Sequence, residues 1–154
     1  MRNKIICTII MTSAIIIGTT ACSSGGSATY SDGTYTAQSE VYVAEDAEDD
    51  ESAAGNGYGV VTITIENNKI TACDFSTYMA DGTLKDEDYG KEGGEVKNSD
   101  YYNKAQKAVA ACEEYASQLV QNGTLDGIDA ISGATVNYNE FKEAVNAALE
   151  QAKE

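Results

Sequence analysis

A β-hairpin written between Tyr58 and Met79 narrows the choice of fold more than any other feature of this chain. Val61, Ile63 and Ile65 alternate with Thr62 and Thr64, the period of a strand with one buried and one solvated face. Asn67-Asn68 follow, and Asn tolerates the positive φ that a tight turn demands. Ile70 to Met79 return as the partner strand. Upstream, Thr34 to Val43 also alternate, with Tyr35, Ala37, Ser39, Val41 and Val43 on one side, and read as a further half-buried strand.

Two helical stripes follow the hairpin. From about Tyr101 to Gln121, residues Ala105, Ala108, Val109, Cys112, Ala116, Leu119 and Val120 recur at three and four. Ser99 or Asp100 is placed to cap that helix, and Asn122-Gly123 to end it. A last helix has a capping-box-like start at Asn137 and Glu140 and a buried face of Phe141, Val145, Ala148 and Leu149. Its charged last turn, Glu150 to Glu154, is expected to fray. The expected fold is α+β: one domain, with a small antiparallel sheet of three or more strands packed against two main helices. Met79 to Asn98 read as an exposed connection with a turn at Asp81-Gly82. The acidic run Glu45 to Glu51 reads as a solvated loop, since its spacing lacks the ordered ligand series of a calcium site.

Composition removes several classes of function. The net charge of −15 repels nucleic acid and bare anionic lipid. The absence of His argues against a serine-hydrolase triad and a zinc site of the usual kind. No acid–base or metal-ligand constellation stands out, so no catalytic residue and no metal ligand is assigned.

The first residues carry an export pattern. Arg2 and Lys4 precede an apolar run from Ile5 to Ile17, shorter than the roughly twenty residues a membrane span needs. Small residues then lead to Cys22 and a Ser/Gly-rich stretch. This resembles a lipoprotein signal, although Thr19 stands where such signals usually carry Leu. The resemblance implies a signal peptide over 1–21 and a diacylglyceryl thioether on Cys22, two acyl chains that anchor stably. The alternative is an ordinary secretory peptide. Residues 22–31 read as a flexible tether and 32–154 as the folded domain. Of the cysteines that remain after export, Cys73 and Cys112 either pair or sit as small buried apolar groups.

One stretch points to chemistry. Ser132-Gly133-Ala134-Thr135 is a run of small residues just ahead of the last helix. A helix N-terminus offers free N–H groups and the positive dipole end to an anion, phosphate above all, and Thr135 adds a hydroxyl there. Residue chemistry alone leaves two readings open, a phosphate site and a plain turn. Asp129, Ser132, Gly133, Ala134 and Thr135 also fit, position by position, the D-x-x-[ST]-G-A-T pattern of the FMN-binding domain family. That family includes flavin subunits of sodium-translocating NADH:quinone reductases and Rnf complexes, and flavinylated surface lipoproteins. A looser similarity to the lipoprotein branch includes Asp32 to Thr36 and Asp81 to Lys85.

The resemblance implies covalent FMN on Thr135 through a phosphoester, installed from FAD by a separate Mg-dependent flavin transferase. Asp129, Ser132, Gly133 and Ala134 would complete that cofactor site. Tyr78, Asp81, Gly82 and Lys85 are candidates to lie near the flavin ring, with Tyr89 a further stacking candidate. The function implied is a lipid-anchored electron carrier on the outer face of the cytoplasmic membrane. Its partners would be the transferase, a quinone- or NADH-linked membrane donor and an extracellular acceptor. Two alternatives are a flavin-dependent reductase of an extracellular acceptor and a non-redox, ligand-binding surface lipoprotein.

Overall fold

A computed structural model describes residues 28–43 and 55–154. The signal segment, Cys22 and the acidic run from Glu45 lie outside the described residues. Three strands and two helices follow in order: β1 (Gly33–Gln38), β2 (Gly57–Glu66), β3 (Lys69–Met79), α1 (Ser99–Asn122) and α2 (Thr135–Ala152). The sheet is antiparallel in the order β1-β2-β3, and the fold is a single α+β domain. No helix among the described residues is long and apolar enough to cross a membrane.

The hairpin forms where its alternation requires. Val61, Ile63 and Ile65 are buried, and Asn67 and Asn68 take φ of 53° and 60° in the turn. β1 pairs with β2 from Gly33↔Ile65 to Gln38↔Val60. It is shorter than its alternation suggests, and Val41 and Val43 are exposed. Ser39 explains the early end. Its Oγ accepts the Gly59 N–H at 2.9 Å and donates to the Glu40 carbonyl at 2.9 Å, so a side chain takes over a ladder bond.

Both helices cover one face of the sheet, α1 over β3 and α2 over β1 and β2. The core joins Val61, Ile63, Ile65 and Phe75 to Leu119 and Tyr115 of α1 and to Phe141, Ala144, Val145 and Ala148 of α2. Gly59 permits this close approach, because a Cβ there would lie 2.6 Å from the Phe75 ring and 3.0 Å from the Glu140 Cβ. Asn98, rather than Ser99 or Asp100, caps α1 by accepting the Tyr101 N–H at 3.0 Å. Gly123, at φ 70°, closes it by donating to the Leu119 carbonyl.

Helix α2 departs from its expected ends. It starts at Thr135, and Asn137 and Glu140 are buried rather than capping. Its last turn does not fray. Ser31 N–H donates to the Ala152 carbonyl at 2.8 Å, Glu154 N–H to the Thr29 carbonyl at 3.2 Å, and Tyr30 bridges to Lys153. Backbone pairing with the segment ahead of β1 thus holds the helix end and satisfies the Ala152 carbonyl.

Candidate functional site

The turn from Ile131 to Thr135 is held by two tyrosines. Tyr115, fully buried on α1, accepts the Ile131 N–H at 2.8 Å and donates to the Ala134 carbonyl at 3.3 Å. Tyr138 donates to the Ile128 carbonyl at 2.7 Å, and its ring tilts against Tyr115 at 5.6 Å between centroids. Ile128 and Ala134 are buried as anchors, while Ser132, Gly133 and Thr135 are exposed. Gly133 has φ 87°, and nothing lies within 4 Å of where a Cβ would stand. The backbone conformation, not crowding, calls for glycine there.

The N-terminus of α2 is open. Ala134 occupies the N-cap position, so no side chain caps the helix, and the first turn contains no acidic residue. The contrast with α1, capped by Asn98, is direct. The uncapped N–H groups and the dipole end favour an anion, and the exposed Thr135 hydroxyl is on the first residue of the helix. The donor set suits a phosphate: first-turn N–H groups beyond the cap, a hydroxyl, and open space over Gly133, although the Ala134 N–H itself is taken by the Ile131 carbonyl at 2.9 Å. Asn137, two residues on, points inward and donates through Nδ2 to the Ala108 carbonyl at 2.9 Å and to Cys112 Sγ at 3.3 Å.

The structure brings Ser132, Gly133, Ala134 and Thr135 together in this turn, with Asp129 exposed in the loop before it. Tyr78, Asp81 and Gly82 lie elsewhere, at the end of β3 and in the connection that follows. Tyr78 stacks on Tyr58 at 5.4 Å, and Asp81 accepts the Thr83 N–H at 2.9 Å in a turn with Gly82 at φ 89°. Lys85 is only 6% exposed, although it sits in a connection of mostly exposed residues. Its Nζ donates to the Gly55 carbonyl at 3.0 Å and lies 5.3 Å from the centroid of the Tyr89 ring.

Lys85 faces a group that the sequence did not mark as buried, Glu140 of α2. Glu140 is 3% exposed, and both carboxylate oxygens lack a hydrogen-bond partner among the described residues. Burial pushes its carboxyl up to about 7, against the opposing attraction of Lys85. Burial likewise lowers the Lys85 ammonium. A cavity of about 730 Å³ opens between β3 and α1, with Cys73, Phe75, Thr77, Lys85, Cys112 and Val120 in its wall. The Thr135 turn does not line it; contact runs through Asn137 and Cys112.

Both thiols are free. Cys112 Sγ lies 3.9 Å from Thr77 Oγ1, and Cys73, four residues back along β3, shares the wall of the same cavity. Burial and the adjacent Asp74 push the Cys73 thiol up to about 12, so it is no thiolate at neutral pH. Among the described residues, no three acidic or sulfur side chains converge to hold a metal.

The model of the FMN-binding domain matches residues 54–150. The chain belongs to the FMN-binding domain family. It is therefore a flavin-binding protein whose cofactor is FMN. β1 lies ahead of the matched residues yet completes the same sheet. Among solved structures, the crystal structure of the CPE2226 protein from Clostridium perfringens is 21% identical with a TM-score of 0.54, covering 80% of this chain and 89% of that one. That likeness establishes the shared fold. A solution NMR structure from Clostridium thermocellum is 27% identical and covers 78% of this chain and 90% of that one, at a TM-score of 0.38. No curated protein matches the chain.

Sequence reasoning missed Tyr115, the residue that shapes the turn. Its signal was present: Tyr115 falls three after Cys112 and four before Leu119, on the apolar stripe of α1.

Proposed function

We propose that this FMN-binding domain carries its flavin covalently, through a phosphoester to Thr135, as a lipid-anchored electron carrier outside the cytoplasmic membrane. The observation that carries the reading is the uncapped N-terminus of α2, with an exposed threonine hydroxyl at its first residue inside the family's D-x-x-S-G-A-T pattern. The N–H groups of Gly133 and Thr135 and the Ser132 hydroxyl would hold phosphate oxygens, with Ala134, whose N–H bonds the Ile131 carbonyl, and Tyr115 and Tyr138 fixing the turn from behind. A covalent link suits an exported protein, which has no cytoplasmic pool from which to replace a lost cofactor.

When bound, FMN supplies the electron chemistry at its ring; the protein sets exposure and surroundings. Tyr78, Asp81, Gly82 and Lys85 are proposed as ring neighbours, with Lys85 bringing the only buried cation of the set. Asp129 is assigned to orienting the turn or to serving the flavin transferase, because an anion beside a phosphate is unfavourable by itself. The absence of a substrate-directed acid–base group favours a carrier over a reductase with its own substrate. Anchoring rests on the lipoprotein-like signal ending at Cys22. A membrane donor and an extracellular acceptor complete the proposed circuit.

The test is intact mass and visible absorbance of the chain from Ser23 onward, co-produced with a flavin transferase, beside a Thr135→Val control. A gain of one FMN less one water, with yellow colour that survives denaturation and is lost in the control, is expected. No adduct, with a transferase proven active on another target, overturns the covalent reading.

A further inference from the structure

The two edges of the sheet are finished differently. β1 is six residues long, and its Thr36 carbonyl accepts from the Gln151 side chain of α2 at 3.1 Å. β3 is eleven residues long, and among the described residues its edge is covered at the C-terminal end alone. There the Lys85 N–H donates to the Thr77 carbonyl at 2.9 Å and the Met79 N–H to the Thr83 carbonyl at 2.8 Å. In an antiparallel ladder each residue turns its N–H and C=O to one side, and its neighbour turns them to the other. Thr77 and Met79 therefore face outward, away from β2. So do Cys73 and Phe75, because the pairing of β2 with β3 is regular from Ala72 to Met79. On that outer side the N–H and C=O groups of Cys73 and Phe75 have no backbone partner among the described residues. Folded proteins commonly blunt such an edge with Lys, Pro or a covering element. From Thr71 to Met79 this edge has neither Lys nor Pro.

The cavity between β3 and α1 runs beside the same edge, and its wall includes every residue from 72 to 77. Val109, Ala116 and Val120 of α1 and the exposed Leu84 add apolar surface to it. Its rim is acidic. Asp74, Asp86, Glu87 and Glu113 are all exposed, whereas Lys85, the one cation in the wall, is buried. We propose that an extended, basic segment of a partner protein adds to the sheet as a strand along β3, with alternate apolar side chains in the groove against α1 and Lys or Arg side chains at the acidic rim. Donors and acceptors alternating along an edge are matched by another strand, and main-chain bonds of this kind supply the affinity in strand addition. Side chains of a strand point alternately to its two faces, so one set enters the groove while the other meets the rim. A second copy of this chain is a poor occupant, because two acidic rims would then face each other. The Thr135 turn does not line this cavity, so the proposal is independent of how the flavin is attached.

The test is amide hydrogen exchange, read by NMR on the full chain in non-ionic detergent micelles, with and without the end-blocked peptide Lys-Val-Lys-Val-Lys-Val-Lys. In the free protein the Cys73 and Phe75 amides should exchange fast, and those of Asp74 and Ser76, which face β2, slowly. The peptide should slow exchange at Cys73 and Phe75 several-fold. The same peptide N-methylated at every residue keeps its charge and side chains but has no N–H to donate, and should give no protection. Glu113→Lys together with Asp86→Lys, both on exposed rim positions, should weaken binding several-fold. Protection of Cys73 and Phe75 before any peptide is added overturns the proposal, because the edge is then already paired; protection that grows with protein concentration identifies a second copy as the occupant. Peptide binding that leaves both amides unprotected, or equal binding of the N-methylated peptide, reduces the interaction to attraction by net charge and overturns it as well.

Discussion

Replacing Glu140 by Gln should remove a pH dependence that the buried carboxyl imposes on folding. In the folded protein the carboxyl titrates at about 7, pushed up by burial from an ordinary 4.5. Between those values the folded chain holds a proton that the unfolded chain has released, so this group's contribution to stability falls as pH rises from about 4.5 to 7 and is flat above. A difference of about 2.5 units corresponds to about 3 kcal/mol, at about 1.36 kcal/mol per unit. The amide of Gln has the same shape and no charge, so its own burial cost is independent of pH and appears only as a constant offset. The assay is urea unfolding of the flavin-free protein, followed by circular dichroism from pH 4 to pH 8. The stability of Glu140→Gln minus that of the unsubstituted protein should climb by about 3 kcal/mol across this range. The other carboxylates contribute to both proteins and cancel. A difference that stays flat or slopes downward would mean that Lys85 neutralises the burial penalty, and would refute the reasoning.

Tyr115→Phe deletes the hydroxyl that joins Ile131 to Ala134 and leaves the half-buried Ile131 N–H without its acceptor, while the Ala134 carbonyl keeps the Tyr138 N–H; it should cost about 1–2 kcal/mol in chemical denaturation and slow FMN incorporation while the fold persists. Gly133→Ala meets no side-chain crowding but forces Ala to φ 87°, so stability should drop by about 1–2 kcal/mol in the same assay, with a lower yield of adduct by intact mass. Asn98→Ala removes the cap of α1 at a distance from the turn; a loss of about 1 kcal/mol with adduct yield unchanged is expected. Under mild oxidation Cys73 and Cys112, both free, should remain alkylatable after unfolding, because burial keeps both thiols protonated.

Much of this fold is written locally, and what is not written depends on partners distant in sequence. The hairpin was legible because alternation and an Asn-Asn turn are properties of neighbouring residues. The extra length expected of β1 was not, because Ser39 keeps the alternation while its hydroxyl diverts the Gly59 N–H, twenty residues away. Tyr115 lay on the stripe of α1, yet its role depends on backbone atoms 16 and 19 residues downstream. The start of α2 misled for a related reason. Asn137 and Glu140 have the spacing of a capping box, but tertiary packing claims both, Asn137 for Ala108 and Cys112 and Glu140 for the space facing Lys85. With those residues turned inward, the cap position falls three residues earlier, on Ala134, whose side chain cannot cap. Sequences that specify one structure agree with themselves at every level, and departures concentrate where function requires them. The two helices of this protein separate the cases. α1, whose N-terminus has no assigned role, is capped by Asn98, and α2, whose first residue is Thr135, is left open to an anion. A side-chain cap at position 134 would compete for the N–H groups that a phosphate needs. Ala134 is buried in the core, so Ala134→Asp should destabilise the flavin-free protein by burying a carboxylate while that carboxylate competes for the same N–H groups, and a folded variant that kept full flavinylation would show that the open helix end serves no anion.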